Sequence, residues 1–451
     1  MKHTVLALSS LERTMARQRS RVRWLKEGDA NSRLFHAVAN GRRQRSFIPA
    51  IRHNGELVTN QQKKEEIFFE TYNSLLGRIE NRQETLDLEE LGLRGLDLSD
   101  LCDIFTEEEV WQVIKELPAD RAPGPDGFIG AFYQKTWPII KEEVMKAMFK
   151  LYVGDGRNFG KLNRAVITLI PKKLGAELVG DFRPISLVHS FAKLFTKVLS
   201  SRLRPKLQEL VSVNQSTFIK GRILHDNFML VRQLARKINK RKEKGLLLKL
   251  DISRAFDSIS WAFLFEVLRK MGMREDFLRW LAICMRTAST RVLVNGVPVE
   301  RIRQVRGLRQ GDPLSPQLFV LAMETITLLI LKATKHNLLQ PIGNATPIQR
   351  ISIYADDVVI FVKPEIQDLV AIKEILNVFG RVSGLNINFQ KTSATLIRVD
   401  EVHKEMVSTI LRCPVVEFPI RYLGLQLALK PLTKNQWQPM LDAATEIVPA
   451  W

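Results

Sequence analysis

The sequence predicts an α/β (α+β) fold, in which short buried strands alternate with longer helices. Residues 351–362 contain two apolar runs rich in Ile and Val around a short polar centre, the pattern of two core strands joined by a tight turn. Residues 246–250 form another short apolar run. Helix signals lie between such runs. Thr106 is an expected N-cap, and Ser315, followed by Pro316, is expected to cap a long apolar helix.

Turn signals indicate where further elements begin and end. Asn-Gly pairs at 54–55 and 295–296 lie between apolar residues and predict β-hairpins. Gly272 and Gly384 follow helical patterns and are expected to end those helices. The loop at 121–127, rich in Pro and Gly, separates two further predicted helices.

Acidic residues stand at the ends of the predicted strands. Asp356 and Asp357 fill the turn within residues 351–362, and Asp251 directly follows the run at 246–250. Carboxylates beside a core repel one another unless positive charge offsets them. The alternative for the Asp-Asp pair is an ordinary solvated turn. Three converging carboxylates predict two Mg²⁺ ions about 4 Å apart, as in nucleotidyl transfer, because hard oxygen ligands suit Mg²⁺.

Composition points to a polyanionic partner. The chain has 451 residues, a formal net charge of +20 and a pI near 9.9, which favours binding along a phosphate backbone. A basic but merely soluble protein is the alternative. Cys102, Cys284 and Cys413 are widely separated, which argues against a disulfide framework or zinc knuckle and favours a reducing, intracellular setting.

Other classes of protein are disfavoured by the sequence. The longest apolar stretch, near residues 325–331, falls short of the roughly 20 residues that a membrane span needs. We therefore expect no membrane partner. The sequence contains no Gly-x-x-x-x-Gly-Lys-Ser/Thr, which argues against a P-loop enzyme.

Three motifs in order carry a family resemblance: LDISRAFD at 250–257, GLRQGDPLSP at 307–316 and YADD at 354–357. With SGLNIN at 383–388, they resemble the reverse transcriptases of plant LINE-type (non-LTR) retrotransposons. The resemblance extends from about residue 24 to about residue 437. It implies a right-hand polymerase with fingers, a palm, an incomplete thumb and a helical, basic N-terminal extension.

The resemblance also divides the chain. Residues 1–104 would be the basic N-terminal extension and linker, and residues 105–245 the fingers with the start of the palm. Residues 246–427 would be the palm, with the primer-grip motif at its end, and residues 428–451 the start of a truncated thumb. The basic residues of the extension would contact template RNA, although a solvated helix face is the alternative: Arg13, Arg17, Arg19, Arg21, Arg23, Lys26, Arg42, Arg43 and Arg45.

The resemblance assigns the metal site and a proton donor. Asp251, Asp356 and Asp357 would hold two Mg²⁺ ions, or Mn²⁺ as a substitute, with the backbone carbonyl of Ile252. Asp357 is the least certain direct ligand, because neighbouring residues on an extended chain point apart. Lys391 would be the general acid for the departing pyrophosphate, with a solvated lysine as the alternative.

Further residues would bind the nucleotide. Arg183 suits a bidentate phosphate contact, and Lys172, with Lys173 as its rival, would supply a point charge. Phe256 would be the steric gate against a ribose 2′-hydroxyl, or else ordinary core. Gln310 would contact the sugar or base.

Three features of these motifs have less specific expectations. Gly307 and Gly311 would let the backbone approach the nucleotide closely. Asp257 is expected to be a helix cap rather than a ligand. The segment at 214–222 resembles a stretch near the template.

The predicted function is RNA-directed DNA polymerisation, with an RNA template, a DNA primer and dNTPs as partners and substrates. The resemblance implies action in the nucleus, and the sequence indicates no oligomeric state. Because no endonuclease precedes residue 24, we expect target nicking to come from elsewhere. A catalytically inactive, nucleic-acid-binding relic of such an element is the alternative.

Overall fold

A computed structural model describes residues 44–79, 82–343 and 345–447, together with residues 5, 8–10, 12, 15, 37, 38, 40 and 41. Most basic positions of the predicted extension lie outside these residues, namely Arg13, Arg17, Arg19, Arg21, Arg23, Lys26, Arg42 and Arg43. Arg45 is described, and its side chain is exposed. A basic helix that contacts template RNA therefore stays a prediction.

The described strands form two larger sheets and two separate hairpins. The palm sheet contains, in spatial order, β12 (Val415–Val416), β11 (Ser393–Ile397), β5 (Gly245–Leu250), β10 (Asp357–Val362) and β9 (Ile351–Tyr354). The fingers sheet contains β4 (Phe182–Val188), β3 (Arg164–Pro171), β6 (Ser289–Val294) and β7 (Val297–Pro298), with β8 (Ile302–Arg303) paired to β6. The hairpins are β1 (Ile51–His53) with β2 (Glu56–Val58), and β13 (Ile420–Tyr422) with β14 (Leu425–Leu427).

Helices are numbered from the first one that is described in full. They are α1 (Gln61–Leu76), α2 (Glu107–Lys115), α3 (Gly130–Tyr152), α4 (Phe159–Leu162), α5 (Ser190–Leu203), α6 (Leu207–Leu210), α7 (Leu224–Lys240), α8 (Ala255–Ser258), α9 (Trp261–Lys270), α10 (Glu275–Arg286), α11 (Ser315–Lys335), α12 (Ile366–Ser383), α13 (Glu401–Leu411) and α14 (Lys434–Ile447). Short 3-10 helices lie at Ser99–Cys102, Val179–Asp181, Arg204–Lys206 and Pro347–Arg350.

Strand β5 is the centre of the palm sheet and pairs antiparallel with β10 and β11. Because side chains alternate along a strand, Leu248 and Leu250 face the main core. Leu247 and Val359 face a second core that also contains residues of α7 and of the β13–β14 hairpin. Strands β9 and β10 form the hairpin predicted within residues 351–362, which confirms the hairpin. Its turn lies at residues 355–356, so the prediction that Asp357 lies in the turn was wrong: Asp357 is the first residue of β10 and pairs with Tyr354.

Helix α1 packs on the fingers sheet. Phe68 and Tyr72 are buried in one hydrophobic cluster with Ile167 and Val292 of that sheet. The ring of Phe68 also meets Phe182 edge-on, with centroids 5.9 Å apart. The segment from β1 to α1 therefore belongs to the fingers core. The division of the chain at residue 104 stays a prediction.

Helix α11 is the central helix of the main core. By length and composition alone it would pass as a membrane span, although 72% of its most apolar window is buried inside the fold. Phe319, Met323 and Ile330 are completely buried. In the described part of the chain it is the one helix that passes this test, and its packing accounts for its apolar surface. The expectation from the sequence, that the longest apolar stretch falls short of a span, was wrong about its length.

Several local predictions can be checked directly. The Thr106 hydroxyl accepts the backbone N–H three residues later at 3.2 Å, so this cap is confirmed. Gly384 ends α12 with φ +79°, and both predicted Asn-Gly hairpins form. The cap predicted at Ser315 was wrong. Ser315 is the first residue of α11, and the Asp312 carboxylate accepts the N–H of Leu314 at 2.9 Å just before it.

Candidate active site

Three carboxylates lie at one end of the palm sheet. Leu250 pairs with Val358, so Asp251 and Asp357, the adjoining residues, are neighbours where β5 ends and β10 begins. Asp356 lies in the turn between β9 and β10 and is exposed, whereas Asp357 is half-buried. The structure thus brings together the three acids that the sequence analysis selected.

The charges of these acids act on one another. Burial raises the pKa of Asp357, Lys249 opposes that rise, and the neighbouring charges of Asp356 and Asp251 add to it. Two like charges close to a half-buried carboxylate make its ionised form costly. A ligand of positive charge would relieve this repulsion.

The donors at this end of the sheet fit Mg²⁺ in kind. They are carboxylate oxygens, with the backbone carbonyl of Ile252 beside them, and Mg²⁺ prefers hard oxygen ligands. Among the described residues, however, no three His, Cys, Asp or Glu side chains stand together as a ready-made metal site. The three acids therefore interact electrostatically, but their side chains are not arranged as a preformed metal-binding site.

A tight turn before β11 is fastened to Asp251. The backbone N–H of Asp251 donates to the Thr392 hydroxyl at 3.1 Å, and its carbonyl accepts the N–H of Asn388 at 2.8 Å. Ile252 is buried and forms a β-bridge with Ile387. Lys391 lies in the same turn and is exposed. The turn that contains Lys391, the predicted general acid, is therefore hydrogen-bonded to the backbone of Asp251.

Four basic residues from separate segments form a group that we call the cation cluster: Lys172, Arg183, Arg254 and Lys391. Burial lowers the pKa of Lys172, and the charges of the other three lower it further, with Asp181 opposing. Arg254 was not selected by the sequence analysis. The signal available for it was a basic residue in the turn that directly follows a strand-ending acid. Such a cluster suits a triphosphate.

The two rival lysines, which directly follow β3, have different surroundings. The Lys172 Nζ donates to the Gly180 carbonyl at 2.9 Å and lies in the cation cluster. The Lys173 Nζ lies 3.0 Å from the carboxylate of Asp181 in an ion pair. A paired, exposed lysine has less charge to offer a phosphate. The geometry therefore favours Lys172.

Phe256 stands beside the acids on α8. Its ring stacks on Phe319 with centroids 4.5 Å apart, and its backbone carbonyl accepts the N–H of Leu308 at 2.6 Å. The side chain is half-buried. One face of the ring packs in the core, as the core interpretation expects. Part of the ring is accessible, as the steric-gate interpretation expects.

The loop before α11 is held by close backbone contacts. The carbonyl of Gln310 accepts the N–H of Ser186 at 2.7 Å. Gly311 has φ +111°, and a Cβ there would lie 2.8 Å from the Ser186 carbonyl. At Gly307, with φ +77°, a Cβ would lie 2.5 Å from the Asp257 carbonyl. Protein packing therefore requires both glycines, and their approach to a nucleotide stays a prediction.

Asp257 is not a helix cap, and that prediction was wrong. Its side chain is 8% exposed and accepts a hydrogen bond from Nε2 of Gln310 at 3.3 Å. Burial raises its pKa to about 7, against the opposing effects of Arg254, Gln310 and Lys172. Tyr72 of α1 is close enough for the Asp257 charge to raise its pKa, which burial has already raised. The cap of the following helix is Ser260.

A comparison with protein-family models matches residues 170–427 to the reverse transcriptase (RNA-dependent DNA polymerase) family. The matched stretch is more than half of the chain, and it contains the acids, the cation cluster and Phe256. The chain belongs to the reverse transcriptase family.

Curated relatives of this reverse transcriptase are proteins of transposable elements. It is 29% identical over 338 residues to "Transposon TX1 uncharacterized 149 kDa protein" of Xenopus laevis, covering 73% of this chain and 25% of that protein. It is 28% identical to "Retrovirus-related Pol polyprotein from type-2 retrotransposable element R2DM" of Drosophila melanogaster, covering 70% and 29%. It is 26% identical to the "Retrovirus-related Pol polyprotein from type-1 retrotransposable element R2" of Popillia japonica, covering 75% of this chain and 48% of that protein. The chain thus spans about a quarter to a half of these animal proteins.

A buried polar segment supports the acidic turn of the reverse transcriptase. Gln215 forms a parallel β-bridge with Ile353, and its side-chain oxygen accepts the N–H of Ala355 at 3.4 Å. Asn227 donates its amide hydrogens to Ser352 Oγ at 2.8 Å and to backbone carbonyls, including that of Ile353 at 3.0 Å. The side chains of Gln215 and Asn227 were not selected by the sequence analysis.

Arg222 closes the same segment. Its guanidinium donates to the backbone carbonyls of Gln208, Val211, Ser212 and Gln215. The segment at 214–222, which resembles a stretch near the template, therefore also braces strand β9.

The β13–β14 hairpin, predicted to grip the primer, docks on the palm sheet. The Tyr422 hydroxyl lies 3.1 Å from Ser352 Oγ, and the Lys249 Nζ donates to the carbonyl of Arg421 at 3.1 Å. Lys249 and Ser352 belong to β5 and β9, which both end beside the acids. The hairpin therefore lies next to the acidic end of the sheet.

Proposed function

We propose that this chain is the RNA-directed DNA polymerase of a LINE-type, non-LTR retrotransposon, and that it adds dNTPs to a primer 3′-hydroxyl. The observation that carries the proposal is the proximity of two oppositely charged groups. Arg254 of the cation cluster follows Asp251 of the acidic end by three residues, and the turn of Lys391 is bonded to the Asp251 backbone. A magnesium-bound triphosphate is complementary in charge to both groups: its magnesium ions to the acids and its phosphates to the cation cluster.

The basic residues would bind the triphosphate of the incoming nucleotide. Arg183 presents a planar fork suited to two phosphate oxygens, and Lys172 presents a point charge. The lowered pKa of Lys172, caused first by burial and then by its basic neighbours, favours the arrival of negative charge. These contacts would orient the α-phosphate toward the primer.

The remaining residues would select the sugar and assist the leaving group. The bulk of Phe256 would exclude a ribose 2′-hydroxyl, and Gln310 would contact the sugar. Gly311 would allow the loop to approach the nucleotide. Lys391, on the turn bonded to Asp251, would donate a proton to the departing pyrophosphate.

Asp251, Asp356, Asp357 and the carbonyl of Ile252 would hold two Mg²⁺ ions, for which Mn²⁺ would substitute. When bound, these ions would lower the pKa of the primer hydroxyl and offset the charge on the triphosphate. The raised pKa of Asp357, from burial and from its acidic neighbours, supports cation binding at this point.

The biological setting is part of the proposal. The template would be RNA and the primer DNA, and the net charge of +20 supports binding to both. The wording of the motifs at 307–316 and 383–388 supports an element of the plant type. The resemblance to retrotransposon enzymes supports action in the nucleus.

The test is dNTP incorporation on an RNA template with an annealed DNA primer, with Mg²⁺ and separately with Mn²⁺. The inactivating variant is Asp356→Ala with Asp357→Ala. The matched control is Glu401→Ala with Glu405→Ala, which removes two exposed acids from α13. We expect extension by the wild type and the control and none by the inactivating variant.

Two outcomes would contradict the proposal. Extension that survives in the Asp356 and Asp357 variant would remove these acids from the reaction. A folded wild type that binds the primer-template but extends nothing with either metal would favour a nucleic-acid-binding protein without catalysis.

A further inference from the structure

Helix α7 connects the two ends of the palm sheet. It begins beside the acidic turn, where the Asn227 amide donates to the Ile353 carbonyl at 3.0 Å. It ends at Lys240, and the chain then enters β5 at Gly245, the end of that strand opposite Asp251. The helix has 17 residues, which at about 1.5 Å per residue gives a length of about 25 Å. It therefore runs along the sheet from the acidic end to the opposite end.

One side of α7 is apolar and packs between the palm sheet and the β13–β14 hairpin. Phe228, Val231 and Ile238 are buried in one hydrophobic cluster with Leu247 of β5 and Ile420 of β13. The hairpin is the segment predicted to grip the primer. Helix and hairpin therefore share a core on the same face of the palm sheet.

Another side of α7 carries a row of basic residues that we call the α7 stripe: Arg232, Arg236 and Lys240. Residues four positions apart lie on one face of a helix, and like charges at that spacing destabilise it. None of the three forms an ion pair with another residue that the structure describes. Lys240 is exposed, and both arginines are half-buried. Nε of Arg236 is buried and finds no hydrogen-bond partner among the described residues.

The positive charge continues past the end of α7. Lys244, Lys363 and Arg398 directly adjoin the ends of β5, β10 and β11 that lie away from the acids. Acids offset part of this charge, because Glu243 lies 3.9 Å from Lys363 and Asp400 lies 3.9 Å from Lys244. The α7 stripe has no such partner among the described residues. The stripe is therefore the part of this surface with the most charge to offer a polyanion.

We propose that the α7 stripe binds the phosphate backbone of the primer strand, in the part of the primer–template duplex that has already left the active site. The inference rests on the polymerase function proposed above. Two observations select this occupant. The core shared with the β13–β14 hairpin brings the stripe beside the segment predicted to hold the primer, and α7 starts at the acidic turn where the primer 3′ end would lie.

The length of the helix indicates which phosphates the stripe would contact. Arg232 and Lys240 lie about 12 and 24 Å along the axis from the first residue of α7. A duplex advances about 3.4 Å per nucleotide of each strand. The stripe would therefore face the primer phosphates about four to seven nucleotides from the 3′ end. Contacts of this kind are made to the backbone and do not depend on base sequence.

The experiment measures equilibrium binding of the primer–template, without dNTP, to the wild type and to Arg232→Ala with Arg236→Ala and Lys240→Ala. In one primer, the phosphates about four to seven nucleotides from the 3′ end are replaced by neutral methylphosphonates. For the wild type we expect this replacement to weaken binding on the order of tenfold. The triple variant should bind the unmodified primer–template about tenfold more weakly, with a salt dependence reduced by about three phosphate contacts. The replacement should then cause no further loss, because both changes remove the same contacts.

Matched variants separate this contact from net charge and from folding. Lys135→Ala with Lys146→Ala and Lys150→Ala removes three exposed cations from α3 and should remain as sensitive to the replacement as the wild type. The alanines of the stripe variant favour helix and remove like charges four residues apart. If that variant does not fold, the same three positions changed to Gln decide the test, since Gln keeps part of each side-chain stem.

The outcomes separate this inference from the proposed function. A stripe variant that stays as sensitive as the wild type to the neutral primer phosphates would overturn the contact. Sensitivity to neutral phosphates in the template strand instead would overturn the assignment to the primer. A wild type that shows the expected binding pattern but extends no primer would contradict the polymerase function and support the stripe.

Discussion

The acidic end of the palm sheet and the cation cluster are neighbours with opposite charge, and they are assembled differently. The three acids stand on two paired strands and their turn, so strand pairing alone brings them together. The four cations come from the segment after β3, from β4, from the turn after Asp251 and from the turn before β11. Their proximity depends on how the two sheets and the loops pack.

Both groups hold like charges at close range, and the pKa values respond in opposite directions. Burial and acidic neighbours raise the pKa of Asp357, while burial and basic neighbours lower the pKa of Lys172. In each group the repulsion is relieved by a ligand of opposite charge. These opposite shifts support the proposal that one group binds metal ions and the other a phosphate.

The largest expected effect is the loss of one acid. In Asp251→Asn we expect nucleotide incorporation to fall by at least about 10³-fold, because a metal-binding carboxylate is lost. The melting temperature should not fall, since a like charge next to Asp357 is removed. Single-turnover incorporation and thermal unfolding measure the two quantities. Glu405→Gln, an exposed acid on α13, is the control, and an Asp251→Asn enzyme as fast as this control would remove Asp251 from the metal site.

A second prediction concerns Asp257, a buried acid on which Arg254 and Lys172 of the cation cluster act. The folded-state pKa of Asp257, about 7, lies above its unfolded value, so ionising it weakens the fold as pH rises toward and past 7. We expect Asp257→Asn to raise the free energy of unfolding on the order of 3 kcal/mol at about pH 8, with the gain vanishing near pH 4. Urea unfolding at the two pH values measures it.

Glu324→Gln should show the same pH dependence, because burial also raises the pKa of Glu324 to about 7. No gain for Asp257→Asn at the higher pH would mean that Arg254 and Lys172 compensate the burial of Asp257 completely. The cation cluster would then stabilise a buried negative charge more strongly than the pKa of Asp257 indicates.

The acidic turn also depends on an uncharged support. Asn227→Ala removes buried hydrogen bonds to the Asn214 and Ile353 carbonyls and to Ser352 Oγ. We expect the free energy of unfolding to fall by about 2 kcal/mol. Gln233→Ala, at an exposed position of the same helix, is the matched control and should change it by less than about 0.5 kcal/mol. Equal losses in the two variants would show that the buried bonds contribute little.

The smallest effect distinguishes the two lysines that follow β3. Lys172→Ala should raise the KM for dNTP about tenfold, the loss of one charge-assisted contact. Lys173→Ala should change the KM for dNTP by less than about twofold, because Lys173 is exposed and already forms an ion pair with Asp181. Steady-state incorporation over a range of dNTP concentrations measures both. A larger effect at Lys173 would assign the phosphate contact to the other lysine.

Much of the local structure could be predicted from the sequence. The hairpin within residues 351–362, the Asn-Gly hairpins, the Thr106 cap and the helix end at Gly384 were all predicted and confirmed. Each depends on side-chain periodicity or turn chemistry within a few residues. The convergence of Asp251 on the Asp-Asp turn was also predictable, because each acid directly adjoins the end of an apolar strand.

Other features depended on residues far apart in the chain. Arg254 joins the cation cluster only because β3 and the turn before β11 approach it. Asp257 faces Gln310 rather than a helix end. The bond between Asp257 and Gln310 joins residues that are 53 positions apart, and no pattern beside Asp257 indicates it.

By itself the sequence determined the strands, the turns, the excess of positive charge and the order of the motifs, since these follow from interactions between near neighbours and from composition. Only the tertiary structure decided which charges meet, which acids are buried and why Gly307 and Gly311 have no room for a side chain. Burial and Coulomb interactions depend on distance in space, and chain folding sets that distance independently of separation in sequence.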